Sequence, residues 1–422
     1  MANELLGHLD ATTSSQLDVL RELGAAVDRR RLVIERATYS SVARPPHDRP
    51  SAGAASQPPP AQAFATEGPE GFDALSDDLV LRAWLRAPFA SHGSLHAVCH
   101  RFKSLLCSDA FRKLRLEAGM AEHGLVIAGG YRANDAETVA DCRMLLNHDG
   151  RVRQIPPMSG PRAEASSVII DNEMWVMGGV DDDEHTLATV EVYSPKTNSW
   201  RSCTPMSQRR YNAVAGVVGG RLVVTGGSGF VRNAAGRETM AALTSAEAFT
   251  GTEWTPLPPM PCTADGATAC VLKGRLYVMG GSGSCKLQVL EMTEEDGLSW
   301  TRKADLPAPR HGAASVLHEG KIWVMGGRVD GERSTTVMTY DADADAWATA
   351  PPLLYPTRIC RATSIDGCIL LHQSPCTARF SATPRGNDRC VTVYKDAAWS
   401  EMAVTGAGSG SGIAPCGTVL LG

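Results

Sequence analysis

The order of hydrophobic and polar positions divides the chain into a helical part and a much longer β-rich part. Within residues 4–36 and again between about residues 76 and 115, apolar residues recur at three- and four-residue spacings, which is typical of amphipathic helices. From His123 onward they come in short runs that end in glycine pairs or turn residues, which is typical of strands. The pattern predicts a small helical unit followed by many short strands.

The first 70 residues are predicted to precede the folded units. Residues 4–36 have an approximate apolar stripe, with three arginines at 29–31 in the C-terminal half, and we assign an N-terminal amphipathic helical segment to 1–42. That stripe indicates either a weakly stable helix or a segment for self-association. Residues 43–70 are rich in Pro, Ala and Ser and show no periodicity, so they are predicted to be a disordered linker.

Three short helices are predicted between residues 71 and 119. Ser76 is placed to cap the first, with Asp77 and Asp78 in its first turn, where negative charge favours the helix. The second has one apolar face, and Ser108 is placed to cap the third. The apolar face of the second helix consists of Leu95, Val98, Cys99, Phe102, Leu105 and Leu106.

The residues of this helical unit resemble an F-box. The stretches LSDDLVLRAWLRAP, LHAVCHRFKSLL and SDAF, within residues 73–115, match its opening, centre and close, although Ser76 stands where the family usually has proline. The resemblance implies binding to a Skp-type adaptor and, through it, to a cullin. The residues expected to contact the adaptor, some of which must instead form the unit's own core, are Leu75, Leu79, Leu85, Val98, Phe102, Leu105 and Leu106.

The rest of the chain repeats with a period near fifty residues. Five runs end in Gly-Gly, at 125–130, 174–179, 222–227, 276–281 and 322–327, with spacings of 49, 48, 54 and 46 residues. A sixth copy, CILLHQ at 368–373, has His372-Gln373 in place of the glycines. Each copy continues with a strand such as VEVY, then a tryptophan, which Val152 replaces in the first copy, then small apolar residues.

These repeats resemble kelch repeats, each of which forms one four-stranded blade. The predicted fold is therefore mainly β, a six-bladed kelch-type β-propeller over 120–422 preceded by the small three-helix F-box domain over 71–119. Neighbouring blades must stack and the ring must close to protect their edges. We expect the glycines on the innermost strand, Tyr and Trp between blades, and GIAPCGTVLLG as the last strand of the sixth blade.

The two modules in this order resemble the plant-type F-box/kelch-repeat family. Members of that family are substrate receptors of SCF-type ubiquitin ligases, in which the propeller holds the protein to be ubiquitinated. The resemblance implies a non-catalytic receptor, a target protein at the propeller and a cytoplasmic or nuclear location.

One positional pattern in the repeats predicts a face for the target. Arg162, Arg210 and Arg310 each lie ten residues after Val152 or a tryptophan, and Arg358 lies eleven after Trp347. Asp265 lies beside the equivalent position of the third repeat, where Ala264 stands. Such a set of arginines would bind a carboxylate-rich or phosphorylated segment. The alternative is a scaffold role, in which each arginine bonds backbone carbonyls of adjacent blades.

The composition mainly excludes certain classes of function. The net charge of −5 does not indicate nucleic-acid binding, and no apolar run is long enough to span a membrane. The N-terminal residues lack the pattern of a secretory signal, so the 12 cysteines are expected to be reduced thiols. No His/Cys cluster has zinc spacing, and no metal or cofactor is predicted.

Two other functions remain open at this stage. Some kelch-type propellers are copper radical oxidases, which need two tyrosines, two histidines and a cysteine at one metal. Here Tyr193, Tyr340 and Tyr394 occupy equivalent repeat positions, which favours packing. The other is a scaffolding or binding protein without a role in ubiquitination, an alternative for which the departure at Ser76 leaves room.

Overall fold

The structure is a computed structural model. It describes residues 76–85, 100–120, 122–131, 137–146, 152–232, 236–294, 298–357, 360–365, 367–373, 391–402 and 416–421. The predicted N-terminal segment 1–42 and linker 43–70 lie outside the described residues. The chain divides into two compact units, one ending at Ala121 and one spanning Glu122–Leu421.

The first unit contains three described helices, α1 (Asp77–Trp84), α2 (His100–Leu106) and α3 (Asp109–Glu117). Both predicted caps form: the Ser76 side chain accepts a hydrogen bond from Leu79 N, and that of Ser108 accepts one from Phe111 N. One cluster of buried side chains holds the helices together: Val80, Leu81, Trp84, Phe102, Leu106 and Phe111. None of the described helices is both long and apolar enough to cross a membrane.

The second unit is built of short strands, 28 of them within the described residues. Those of the first half are β1 (Glu122–Ala128), β2 (Cys142–Leu146), β3 (Val152–Ile155), β4 (Ser166–Ile170), β5 (Glu173–Met177), β6 (Val190–Ser194), β7 (Ser199–Cys203), β8 (Val214–Val218), β9 (Arg221–Thr225), β10 (Ser228–Arg232), β11 (Glu238–Ala242), β12 (Ala246–Phe249), β13 (Trp254–Leu257) and β14 (Thr268–Leu272). Those of the second half are β15 (Arg275–Met279), β16 (Val289–Thr293), β17 (Ser299–Lys303), β18 (Ala314–His318), β19 (Lys321–Met325), β20 (Arg328–Val329), β21 (Glu332–Arg333), β22 (Val337–Asp341), β23 (Ala346–Ala350), β24 (Cys360–Ile365), β25 (Cys368–Gln373), β26 (Val391–Lys395), β27 (Ala398–Glu401) and β28 (Cys416–Leu421).

Six antiparallel four-stranded sheets form the blades. In ring order they are blade 1 (β28-β1-β2-β3), blade 2 (β4-β5-β6-β7), blade 3 (β8-β9-β12-β13), blade 4 (β14-β15-β16-β17), blade 5 (β18-β19-β22-β23) and blade 6 (β24-β25-β26-β27). The first strand of every blade contacts the first strand of the next, and β24 contacts β28, so these six strands close a ring around the axis. The predicted mainly β, six-bladed propeller is confirmed.

Two details of the predicted blade are wrong. The glycine pairs lie at the end of the second strand of a blade, and the innermost strand is instead the small apolar run such as β8. The C-terminal strand β28 pairs with β1, from Glu122↔Leu421 to Ile127↔Cys416, and so completes blade 1 and not blade 6. A blade built from the first and last strands of this unit closes the ring with hydrogen bonds.

The sixth repeat is shifted by one residue from its predicted alignment. Ile369 pairs with Tyr394 as Ile322 pairs with Tyr340. His372 therefore takes the position of Met325, which precedes the glycine pair, and not that of a glycine. It is buried inside the blade.

The hydrophobic core of the propeller lies between blades. One cluster joins Met177 and Val190 of blade 2 to Leu222 and Val224 of blade 3, and similar clusters join later neighbours. The expected aromatic packing between blades is present: the ring of Tyr277 in blade 4 lies 5.9 Å from that of Tyr340 in blade 5, and the ring of Trp323 in blade 5 lies 5.0 Å from that of Tyr394 in blade 6. Packing between blades is thus the main source of apolar burial in this unit.

Five tryptophans also form hydrogen bonds between blades. In each case the indole Nε1 donates to a carbonyl in the loop that follows the preceding blade's last strand. The pairs are Trp200 to Pro156, Trp254 to Thr204, Trp300 to Pro258, Trp347 to Ala304 and Trp399 to Pro351, at 2.8–3.0 Å. The tryptophans that recur along the sequence therefore also form a hydrogen bond that recurs between blades.

The cysteines differ from the prediction at one position. Cys262 is disulfide-bonded, so the expectation of reduced thiols throughout is wrong there. Cys142, Cys203 and Cys270 are free thiols. Burial raises the pKa of Cys142 and of Cys270 to about 12, so neither thiol ionises near neutral pH.

Candidate functional site: the loop face of the propeller

The longer connections of the blades lie at one end of the ring, which we call the loop face. Blades 2 to 5 each run from their innermost strand through a tight turn to their second strand, such as Val218 to Arg221 in blade 3. The connections between the second and third strands of a blade, and those between one blade and the next, therefore lie at the opposite end of the ring from these turns. The glycine pairs and the predicted arginines lie at this loop face.

The predicted arginines Arg162, Arg210 and Arg310 lie inside the wall of the propeller, each 1–3% exposed. Arg210 shows the shared arrangement. Its carbonyl accepts a hydrogen bond from Gly179 N of blade 2, while its Nη1 donates to the carbonyl oxygen of Gly226 in blade 3 at 2.9 Å. These contacts are those of the scaffold alternative, in which an arginine bonds the backbones of adjacent blades.

Two of these arginines meet a buried carboxylate. Arg162 Nη2 lies 2.5 Å from Glu191 Oε1, and Arg210 Nη2 lies 3.0 Å from Glu247 Oε1. Burial lowers the pKa of both guanidinium groups, and the paired carboxylates oppose that change. Each carboxylate also accepts a backbone N–H, from Ser159 and Ser207 respectively.

The equivalent pair is absent from blade 4. Ala264 takes the arginine position there, and Leu290 takes the position of Glu247, because Met279↔Val289 matches Thr225↔Ala246 in register. Both charges are thus replaced together by apolar side chains. In blade 5 the arginine remains without the glutamate: Met338 takes the position of Glu247, and Arg310 donates to the carbonyl oxygens of Gly326 and Thr336.

The other two predicted target residues are Arg358 and Asp265. Arg358 is outside the described residues. The backbone hydrogen bond that the arginine forms in other blades is formed here by Thr357, whose N donates to Ser334 O at 3.0 Å. Asp265 lies one residue past the arginine position, where its strand bridge with Ser282 matches that of Tyr211 with Ser228. Of the four predicted target residues that the structure describes, the three arginines are buried, so these four do not form one exposed surface.

A chain of backbone hydrogen bonds crosses four blades at the axis, just past the arginine position. Asn212 N donates to Glu164 O, Gly266 N to Asn212 O and Gly312 N to Gly266 O, at 2.8–3.2 Å. All four residues have φ between 51° and 68°, in the left-handed region. We call this end of the axis the channel mouth; the bonds hold neighbouring loops at fixed spacing.

Polar side chains from blades 1 to 3 join at one side of the channel mouth. Asn212 Nδ2 donates to Glu164 Oε2 at 3.0 Å, and the Tyr131 hydroxyl also bonds Glu164. Burial raises the pKa of Glu164, and the charge of Asp265 adds to that rise. Burial and Glu164 likewise raise the pKa of Tyr131. These side chains favour a neutral or cationic group over an anion at this point.

A second polar group lies at the other side of the channel mouth around Asp265. Ser282 Oγ donates to Asp265 Oδ2 at 3.1 Å, and His311 Nε2 lies 3.8 Å from the same oxygen. Burial opposes ionisation of Asp265, but contacts with His311, Ser282 and Ser228 outweigh it and lower the pKa. Across the part of the chain that the structure describes, no three His, Cys, Asp or Glu side chains group so as to hold a metal ion.

The predicted adaptor residues fall into two groups by exposure. Phe102 and Leu106 are buried in the helical core at 2% and 4%, whereas Leu79 is 37% exposed. Leu85 and Leu105 are half-buried. Leu75 and Val98 lie outside the described residues. The structure thus separates the residues of the helical core from the exposed ones, which the apolar pattern of the sequence left open.

Blade 3 carries a hairpin on the loop face that was not predicted from the sequence. Strands β10 and β11 form a separate two-stranded sheet between β9 and β12, with Phe230 and Met240 exposed at 42% and 44%. The signal was the 54-residue spacing of the glycine pairs at this repeat, against 46–49 elsewhere. The buried carboxylates Glu191 and Glu247 were also missed, because an acidic residue on a strand predicts a solvent-facing position.

Comparison with known proteins identifies the repeats. The family model for the kelch motif matches residues 161–207 and 309–354. One F-box/kelch-repeat protein of Arabidopsis thaliana is 29% identical over 217 residues, covering 49% of this chain and 54% of that protein. A second from the same plant is 25% identical over 261 residues, covering 49% of this chain and 62% of that protein. The chain thus spans somewhat over half the length of these relatives.

Two further matches fall outside that group. Human Kelch-like protein 33 is 30% identical over 136 residues, covering 31% of this chain and 24% of that protein. The solved structure of YjhT aligns with a TM-score of 0.49 at 16% identity, covering 64% of this chain and 97% of that one. The chain carries kelch motifs and is similar in sequence to plant F-box/kelch-repeat proteins, which confirms the predicted resemblance. The residues that resemble an F-box lie outside the matched motifs.

Proposed function

We propose that this chain is the substrate-recognition subunit of an SCF-type E3 ubiquitin ligase. The observation that carries the proposal is one chain with both a kelch propeller and a helical unit of F-box pattern, similar to proteins named for that combination. The helical unit would bind the Skp-type adaptor and through it a cullin, and the propeller would bind the target protein. The receptor would be non-catalytic and would act by holding the target near the transfer centre of the ligase.

For the adaptor, the proposed contact is centred on Leu79. This leucine is the most exposed described residue of the predicted set, and it lies in the first turn of α1 beside Asp78. Leu85 and Leu105 would add their exposed parts, while Phe102 and Leu106 hold the helices in place. A protein interface gains most from such apolar side chains that become fully buried on binding.

For the target, the proposed surface is the loop face. It carries loops of several lengths on a ring held together by buried arginines and tryptophan hydrogen bonds, and variable loops on a rigid scaffold are where binding residues concentrate. The opposite end has mainly tight turns, such as Gly219-Gly220 and Glu319-Gly320.

The test is co-expression of the full chain with Skp-type adaptors from its own organism, followed by purification of any complex. We expect a stable complex that Leu79→Asp abolishes. Leu116→Asp is the matched control, because Leu116 is 56% exposed on α3 and lies outside the F-box pattern. Both substitutions place a charge on the surface and leave the helical core intact, so circular dichroism of the two variants should agree.

Failure of every adaptor to bind folded protein would refute the ligase role. It would leave a kelch-repeat binding protein whose helical unit makes another contact. Binding that Leu79→Asp and Leu116→Asp reduce equally would refute the proposed contact while keeping the adaptor.

A further inference from the structure

The hairpin of β10 and β11 is an addition to blade 3 that its four-stranded sheet does not require. Its register runs from Ser228↔Ala242 to Arg232↔Glu238, with Phe230 directly opposite Met240. The corresponding connection in blade 5 forms only the two-residue strands β20 and β21. Blade 3 therefore carries the longest such hairpin among the described loops.

The base of the hairpin is fixed to the propeller. Gln208 Nε2 donates to the carbonyl oxygen of Phe230 at 3.0 Å, and Tyr211 forms a strand bridge with Ser228. A Cβ added at Gly229 would lie 2.3 Å from the carbonyl oxygen of Arg209, so these two backbones are in close contact. A surface held in this way loses little conformational freedom on binding.

The side chains of Phe230 and Met240 form an exposed apolar pair on this fixed base. Directly opposed residues of an antiparallel pair place their Cβ atoms about 4.5–5.5 Å apart, so the two side chains make one continuous patch. A phenylalanine offers a rigid ring for a partner, and a methionine adapts to its shape. Neither belongs to a core cluster of the propeller among the described residues.

The border of the patch is basic. Arg209, whose carbonyl oxygen lies against Gly229, and Arg232 and Arg237 of the hairpin are exposed, and Glu238, 3.3 Å from Arg232, is the one acidic residue of the hairpin. Three positive charges and one negative charge leave a net charge of +2. A chain with a net charge of −5 thus places a positive, apolar surface on its loop face. Complementary charge selects a negatively charged partner and increases its association rate.

We propose that the surface of Phe230 and Met240, bordered by Arg209, Arg232 and Arg237, binds an acidic segment of the target that carries a large apolar side chain. This inference rests on the proposed function for its occupant, since it names the chemistry of the target that the receptor would hold. The apolar side chain of the target segment packs against Phe230 and Met240, and the carboxylates that flank it form hydrogen bonds with the arginines.

The experiment uses a library of random twelve-residue peptides displayed on phage, selected on the full-length chain. We expect enrichment of peptides with Phe, Leu or Trp flanked by Asp and Glu. Synthetic copies of the enriched peptides should bind at least tenfold more weakly to Phe230→Ser/Met240→Ser and to Arg209→Ala/Arg237→Ala. The matched control is Leu317→Ser, an apolar residue 38% exposed at the tight-turn end of β18, which should bind as the native chain does.

Equal binding of the enriched peptides to the native chain and to Phe230→Ser/Met240→Ser would overturn the inference. So would a selection that enriches no peptides, or basic ones. Circular dichroism and the urea midpoint of each variant identify any loss of folding. Adaptor co-purification is measured on the same variants: peptide binding without an adaptor complex would reject the ligase role and keep this surface, and the reverse would reject this surface alone.

Discussion

Arg210 and Glu247 form an ion pair inside the wall of the propeller, with 3.0 Å between Nη2 and Oε1 and side chains only 1% and 4% exposed. The arginine comes from the connection between blades 2 and 3, and the glutamate lies on the third strand of blade 3. The pair therefore fixes where one blade begins relative to its neighbour. Blade 4 shows that a propeller blade also forms with alanine and leucine at these positions.

Arg210→Ala is predicted to destabilise the propeller by about 3–5 kcal/mol, because it leaves the Glu247 carboxylate buried without its cation. The double variant Arg210→Ala/Glu247→Leu reproduces Ala264 and Leu290 of blade 4 and should recover at least half of that loss. Urea unfolding of Arg210→Ala, Glu247→Leu and the double variant measures the coupling. Additive losses would show that the two side chains do not depend on each other.

Trp254→Phe tests the hydrogen bonds between blades. It removes the Nε1 donor to Thr204 O at 2.9 Å from a side chain that is 8% exposed, and should cost about 1–2 kcal/mol. Trp300→Phe removes the equivalent bond to Pro258 O in an exposed setting and should cost less than about 1 kcal/mol. Unfolding free energies from urea titration compare the two, and an equal cost would argue against a role for burial.

His372 is predicted to make the propeller less stable in mild acid. Burial, with Arg361 and Arg143 nearby, lowers the pKa of His372 to about 4. The unfolded chain therefore takes up a proton near its ordinary pKa of about 6.5, before the folded chain does. The contribution to stability is complete above pH 6.5 and is lost as pH falls toward 4, by up to about 3 kcal/mol.

His372→Met should remove that part of the pH dependence. Methionine is the residue at the equivalent position of blades 2, 4 and 5, namely Met177, Met279 and Met325. Urea midpoints between pH 4.5 and 7.5 measure the effect. A native-like loss of stability in the variant would assign the acid sensitivity to other groups.

Gly266→Ala is predicted to disturb the channel mouth. Gly266 has φ +61°, and a Cβ there would lie 2.3 Å from His311 Nε2. Gly220→Ala is the matched control, since Gly220 has φ +72° with nothing within 4 Å of an added Cβ. Both should lose about 1 kcal/mol from the left-handed backbone, and Gly266→Ala should lose more because the imidazole must move.

The double variant Gly266→Ala/His311→Ala separates the two causes. Removing the imidazole should restore the stability of Gly266→Ala to that of Gly220→Ala, measured as the urea midpoint. If it does not, the backbone bonds to Asn212 and Gly312, and not the side-chain contact, control the position of this loop.

The periodic features of this protein could be predicted from the sequence, because each has a local cause. The glycine pairs, the tryptophans and the strands between them recur at a near-constant spacing, and that spacing predicted the kelch propeller and its six blades. The serine caps at Ser76 and Ser108 were equally local, since a cap needs only its own first turn. The same pattern correctly placed Tyr193, Tyr340 and Tyr394 in packing positions.

Only the tertiary structure decided which residues distant in the sequence lie together. Repeat boundaries in sequence do not show that the last strand pairs with the first, so β28 was assigned to blade 6 and not to blade 1. Arg210 and Glu247 lie 37 residues apart. Charge alone predicted exposure for such arginines, whereas a carboxylate and two carbonyls make their burial favourable. The exposure of Phe230 and Met240 has the converse cause, since their hairpin stands outside the sheets whose stacking buries the other apolar residues.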